Sequence, residues 1–177
     1  MKFKSKLNKT RDGKPAAKKF LEAFQTVDFS IADIQKKPAK KSPTAPFTTS
    51  TLQQEASLKY GFSVSRTMSV AQRLYEAGKI TYMRTDSVHL SDTAVNGAVN
   101  EIKKAYGDDF VKTRKYKTKS SNAQEAHEAI RPTDFSAHTV VGETDEEKLY
   151  QLIWKRAIAS QMSDAKLERT TISIDAP

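Results

Sequence analysis

The sequence predicts an α+β fold that is mainly helical, with a helical domain inserted into a partial β-rich domain. Three observations carry this. Between Thr48 and Met162, several segments repeat apolar residues at helical spacing behind a capping side chain. The end of the chain, Arg169-Thr170-Thr171-Ile172-Ser173-Ile174-Asp175, alternates as a strand with one buried face does. The start, Phe3-Lys4-Ser5-Lys6-Leu7, alternates too, and the helices separate it from the last strand. The economical arrangement is a middle domain, residues 47–164, set between residues 1–46 and a return strand at 165–177. On that reading the chain is cut from something longer.

Each element has a local reason. Asp12-Gly13 marks a turn, and Pro15 suits the opening of a helix through Phe20, Leu21 and Phe24, since the first turn needs no proline N–H. Phe29-Ser30-Ile31-Ala32-Asp33-Ile34 reads as a strand. Lys36 to Pro46, with three prolines and four lysines, reads as an extended linker, because prolines forbid a helix there. Thr48, Thr49 or Ser50 caps a helix through Leu52, Ala56 and Leu58. Ser65 caps the next, with Met68, Ala71, Leu74 and Tyr75 in period, ending at Gly78. Ile80-Thr81-Tyr82-Met83 is β-branched and aromatic and reads as a short strand or extended turn. Ser91 caps a helix through Ala94, Val95, Val99, Ile102 and Ala105, closed by Gly107. A further helix opens near Thr144, where Asp145, Glu146 and Glu147 meet the positive end of the helix dipole, and runs through Trp154 towards Met162. There is no internal repeat.

Charge narrows the function classes. The net charge is +9, and residues 1–46 hold twelve Lys/Arg against four Asp/Glu, leaving about +1 for the rest. Acidic partners are favoured, nucleic acid first. Lys112-Thr113-Arg114-Lys115-Tyr116-Lys117-Thr118-Lys119 is a second basic run, either a solvated loop or a phosphate-facing one. The absence of cysteine excludes disulfides and thiolate zinc sites, and suits a reducing cytoplasm. No apolar run approaches a membrane span of about 20 residues, and the first residues lack a secretory signal's apolar stretch.

Two clusters carry candidate chemistry. Tyr82 and Arg84 are two apart, so an extended backbone points them to one face. A phenol, with a pKa of about 10, is a poor nucleophile at neutral pH. A guanidinium beside it suits a phenolate or a phosphate held in two-pronged fashion. Such a pair alone is more often structural. In Gln124-Glu125-Ala126-His127-Glu128-Ala129-Ile130-Arg131-Pro132, His127 and Arg131 share a face if the segment is a helical turn. That would suit phosphate, or simply a solvated surface pair. Zinc is disfavoured, because no second histidine stands at ligand spacing.

Taken together, Pro46-Phe47-Thr48-Thr49-Ser50-Thr51-Leu52-Gln53-Gln54, the run Ala71 to Ser87 and Glu125 to Pro132 resemble the bacterial type IA DNA topoisomerases. The resemblance is firm from Pro46 to Ile174 and looser before it. It implies that Tyr82 attacks one DNA strand and keeps its 5′ phosphate as an ester. The other strand then passes, and the 3′ hydroxyl reverses the attack, so supercoils relax without ATP. It makes Arg84 the arginine that positions the scissile phosphate and His127 a phosphate contact. It implies that Arg131 also contacts DNA, and that Arg131 and Asp86 support the geometry of the site. It names the β-rich part an arch, and implies a bacterial cytoplasmic enzyme acting on single-stranded segments. It also implies Mg²⁺, bound by an acidic cluster that this chain lacks. The cofactor therefore lies outside these residues, none is expected on them, and the isolated chain is expected to be inactive. One rival is a winged-helix-like DNA-binding module without chemistry. A tyrosine recombinase is another, but there the tyrosine follows the arginines and histidines, whereas Tyr82 precedes His127 and Arg131. A globular piece with no DNA role is the third.

Overall fold

The computed structural model describes residues 13–23, 28–116 and 127–175. The expected strand at Phe3–Leu7, the Lys117–Lys119 end of the basic run and Gln124–Ala126 lie outside them. The chain divides into two compact units, Met1–Ala39 with Lys166–Pro177, and Lys40–Ala165. Helix and sheet are mixed, with five α-helices and a two-stranded sheet among the described residues.

The first unit holds α1 (Lys14–Ala23), with Pro15 in its first turn and no buried side chain. It also holds most of a strand pair, β1 (Ser30–Lys41) and β2 (Ala165–Asp175). Two expectations are corrected here. β1 does not end at Ile34 but continues through Pro38 to Lys41, across half of the expected linker. A proline is tolerated because a strand in a two-stranded sheet has a free edge, where a missing N–H costs no ladder bond. β2 has no buried face, since every residue of Ala165–Asp175 is exposed. Its alternation is real, but the pair carries no covering layer within the described residues. Lys36 and Glu168 form an exposed ion pair across the two strands at 3.2 Å.

The second unit is built around α5 (Thr144–Ser160), which buries Leu149, Tyr150, Leu152, Ile153, Trp154, Ala157, Ile158 and Ser160. α2 (Thr49–Tyr60), α3 (Val64–Glu76) and α4 (Asp92–Tyr106) pack against it. Caps explain the boundaries. Thr48 and Thr51 close a reciprocal capping box on α2. Ser91 caps α4, and Gly107 follows its last residue. α3 is capped by Ser63 rather than Ser65, because the Ser63 hydroxyl accepts the Arg66 N–H, the donor three residues on. α5 opens on a Glu143–Glu146 box and is tied to α3 by Arg66–Asp145 at 2.7 Å and Arg73–Glu146 at 2.5 Å. α2 runs through Leu52, Ala56 and Leu58 as expected; Leu52 and Ala56 are buried, while Leu58 is 86% exposed.

α3 ends in a Schellman closure. Gly78, at φ +69°, donates to the Tyr75 carbonyl at 2.8 Å, and Lys79 donates to the Leu74 carbonyl at 2.8 Å. This left-handed residue turns the chain back along the helix end and starts the segment that carries Tyr82. No helix among the described residues is long and apolar enough to cross a membrane.

Candidate nucleic-acid cleavage site

The segment from Ile80 to Ser87 is extended but belongs to no continuous sheet. Single bridges and side-chain hydrogen bonds hold it. Ile80 pairs with Pro132, and Phe47 pairs with Ile130, so residues 129–133 lie between the two chains. Thr81 N–H donates to the Arg131 carbonyl at 2.9 Å. The Thr81 hydroxyl donates to the Ala129 carbonyl at 2.7 Å and accepts the Arg131 N–H at 3.0 Å. Downstream, the Thr49 hydroxyl donates to the Met83 carbonyl at 2.8 Å and accepts the Thr85 N–H at 2.9 Å. Thr49 N–H also donates to the Thr85 carbonyl at 2.9 Å. The backbone on either side of Tyr82 is thus pinned by two threonines.

The side chains alternate as the extended reading requires. Met83 is 1% exposed and Ser87 3%, while Tyr82, Arg84 and Asp86 face outward. Tyr82 is 44% exposed, and its ring meets that of Tyr75 edge-on, with centroids 5.3 Å apart. Among the described residues, neither the Tyr82 hydroxyl nor the Arg84 guanidinium makes a hydrogen bond or ion pair. A phenol and an unspent guanidinium on one outward face suit an anionic, phosphate-bearing substrate.

The second cluster is placed differently from the sequence expectation. Residues 127–129 are not helical, so His127 and Arg131 are not joined by a turn. The backbone partners of this segment, Phe47, Lys79, Thr81 and His89, come from distant parts of the chain and draw it out straight. His127 is exposed, two residues before Ala129, whose N–H donates to the His89 carbonyl at 2.8 Å. Arg131 is turned inward. Its Nε and Nη2 donate to Glu128 Oε2 at 3.1 and 2.6 Å, and its Nη1 donates to the Pro132 carbonyl at 2.9 Å. Glu128 Oε1 accepts the N–H of Ser91, the cap of α4, at 2.7 Å. Burial alone would raise the Glu128 carboxyl, but the hydrogen bonds from Ser91 and Arg131 outweigh it and hold it below the ordinary value. Thr49, Thr81 and Glu128 are the positioning residues that sequence reasoning did not single out. Thr49 was legible only as a helix cap, since nothing local shows a partner 34 residues away.

No group of three or more His, Cys, Asp or Glu side chains among the described residues is placed to hold a metal ion. Asp86 stands alone on the outward face beside Arg84. Among the described residues, the acidic groups of the second cluster and its flank, Glu128 and Asp134, are engaged with Arg131 and Ser136.

The comparisons with known proteins decide the family. The family model described as DNA topoisomerase matches residues 1–177. The chain belongs to the DNA topoisomerase family. Within that family, DNA topoisomerase 1 of Zymomonas mobilis is 53% identical over 148 residues, 82% of this chain and 12% of that protein. DNA topoisomerase 1 of Streptomyces coelicolor is 50% identical over 163 residues, 89% of this chain and 17% of that protein. Among solved structures, full-length topoisomerase I of Thermotoga maritima superposes with a TM-score of 0.74 at 37% identity. The match covers 96% of this chain and 29% of that one. The chain therefore spans less than a fifth of the length of these two curated family members.

Proposed function

We propose that these residues are the tyrosine-bearing part of a type IA DNA topoisomerase, and that Tyr82 is the nucleophile that opens one DNA strand. The observation that carries the reading is the outward display of Tyr82 and Arg84 on a segment pinned on both sides by Thr81 and Thr49. The Tyr82 oxygen attacks a backbone phosphorus. A P–O bond to tyrosine forms, the bond to the 3′ oxygen breaks, and that oxygen leaves with a proton as a 3′ hydroxyl. Arg84 donates to the non-bridging oxygens and offsets their charge as the phosphate is attacked. The ester keeps the energy of the broken bond, so the 3′ hydroxyl reseals the strand without ATP. Negative supercoils relax while the gap is open. His127 is a phosphate contact in this proposal. Arg131 serves through Glu128, by fixing the segment on which His127 stands.

Among the described residues, no group of three or more His, Cys, Asp or Glu side chains is placed to hold a metal ion. Mg²⁺, in this proposal, binds elsewhere in the enzyme. The division of the chain supports a tyrosine-bearing helical domain inserted into a β-rich arch, because residues from both chain ends fall in one unit and residues 40–165 in the other. Single-stranded DNA is the proposed substrate, and a bacterial cytoplasm the proposed compartment.

The test is adduct formation by the complete enzyme on an end-labelled oligonucleotide, read after denaturation. Tyr82→Phe removes only a hydroxyl. It should leave the melting temperature unchanged and abolish a 5′-phosphotyrosine adduct. An adduct that persists in this variant, or one on a 3′ phosphate, refutes the proposal. The chain alone should not relax plasmid DNA even with Mg²⁺, and metal-dependent relaxation by these 177 residues would show that they contain the metal site.

A further inference from the structure

We infer that Tyr75 is a positioning residue for Tyr82, acting through its ring rather than its hydroxyl. The inference rests on the reading of Tyr82 as nucleophile and adds a residue that aims it. The two rings lie with centroids 5.3 Å apart and planes at 67°. Such an edge-on pair favours one relative orientation, because the positive rim of one ring meets the negative face of the other.

The two partners are not equally fixed. Tyr75 stands in the last turn of α3, where its carbonyl accepts the Gly78 N–H. Leu74 and Ala71 in the same stretch of α3 are 2% and 0% exposed, so this end of the helix is anchored in the core. Tyr82 has a pinned backbone but no side-chain hydrogen bond among the described residues. Two torsions of its side chain are therefore free unless the ring contact restricts them. The left-handed turn at Gly78 brings the pinned segment back onto the end of α3, which is how residues seven apart meet. Tyr75 and Tyr82 are 40% and 44% exposed, so the contact orients Tyr82 without covering it. The Tyr75 hydroxyl has no described partner, and ring contact is the interaction the structure gives it. Aiming a nucleophile acts on the rate of attack and not on the affinity for DNA.

The experiment compares Tyr75→Phe and Tyr75→Leu in the complete enzyme. The rate of adduct formation is read in a single turnover at saturating single-stranded oligonucleotide. Affinity is read by anisotropy on a Tyr82→Phe background, where no cleavage intervenes. Tyr75→Phe should cleave within about twofold of the parent, and Tyr75→Leu about threefold to tenfold more slowly, the range expected for one aromatic pair. Affinity should not change. Tyr75→Gln, a second non-aromatic variant at this part-exposed position, should behave as Tyr75→Leu does. In parallel, NMR of the tyrosine-labelled chain should show the Tyr82 ring signals, assigned by their loss in Tyr82→Phe, moving in Tyr75→Leu. Cleavage at the parent rate by both non-aromatic variants, a loss confined to affinity, or unmoved Tyr82 signals would overturn the inference. An adduct retained by Tyr82→Phe, or none in the parent, would instead overturn the functional reading on which it rests.

Discussion

Replacing Thr49 with valine removes one oxygen and keeps the shape of the side chain. In the structure that oxygen serves the Met83 carbonyl at 2.8 Å and the Thr85 N–H at 2.9 Å, while the Thr85 carbonyl keeps its bond from Thr49 N–H. Two backbone groups are left without a protein partner. The site is only partly buried, so water reaches them in part, and each costs towards the lower end of the penalty for an unmade bond. The sum is about 2 kcal/mol. For a chain of this size that lowers the melting temperature by roughly 4–8 °C. Trp154 is the sole tryptophan, 5% exposed and bonded to the Phe135 carbonyl, so its fluorescence reports unfolding of this unit. Thr49→Ser keeps the oxygen and should lose less than half as much. If Thr49→Val unfolds within 1 °C of the parent, or if serine and valine are equally damaging, the hydroxyl does not pin the segment and the argument fails.

Other outcomes follow from the same structure. Gly78→Ala should cost about 1 kcal/mol purely through its positive φ, since a Cβ there meets nothing within 4 Å, and Gly78→Asn should cost less; urea unfolding distinguishes them. Asp164 is held at a pKa of about 2 by hydrogen bonds from Lys112 and Ser42, with Arg114 adding its own. A depressed carboxyl contributes stability that is full above its unfolded value near 4 and is lost as pH falls towards 2. Acid titration of Asp164→Asn should therefore show a shallower loss over that window, and an unchanged curve would discount the cluster. The chain should bind single-stranded DNA weakly, with log K falling against log salt at a slope of about −2 to −3 if three or four phosphates are neutralised. Salt-independent binding would contradict the charge reading.

Much of the helical part was legible because caps and periodicity are local. Thr48, Ser91 and Gly107 bound their helices where the sequence placed them. Ser63 and Ser65 are equivalent to a reader of composition, and only the geometry of the Arg66 N–H separates them. The two ends of the strand pair were harder. Pro38 reads as a breaker until the free edge of a two-stranded sheet admits it, and the alternation of β2 is the same whether or not a layer covers it. At the site, the display of Tyr82 and Arg84 on one face followed from a period of two. The straightness of residues 127–129 did not, because the bonds that impose it reach across 48 and 50 residues. Arg131 looked equally available for phosphate in the sequence, and only the position of Glu128 shows where its donors go.

Those long reaches set an order of events when the protein is made. Tyr82 leaves the ribosome well before Arg131 does, yet the Thr81 hydroxyl finds its partners only at residues 129 and 131. Contacts so distant along the chain form late, after the helices that bring them together. A chain not yet folded through residue 131 thus lacks the Thr81 half of the pinning, and the segment bearing Tyr82 is held on one side only. On the proposed reading of Tyr82 as nucleophile, its full positioning then waits until the fold is complete through Arg131.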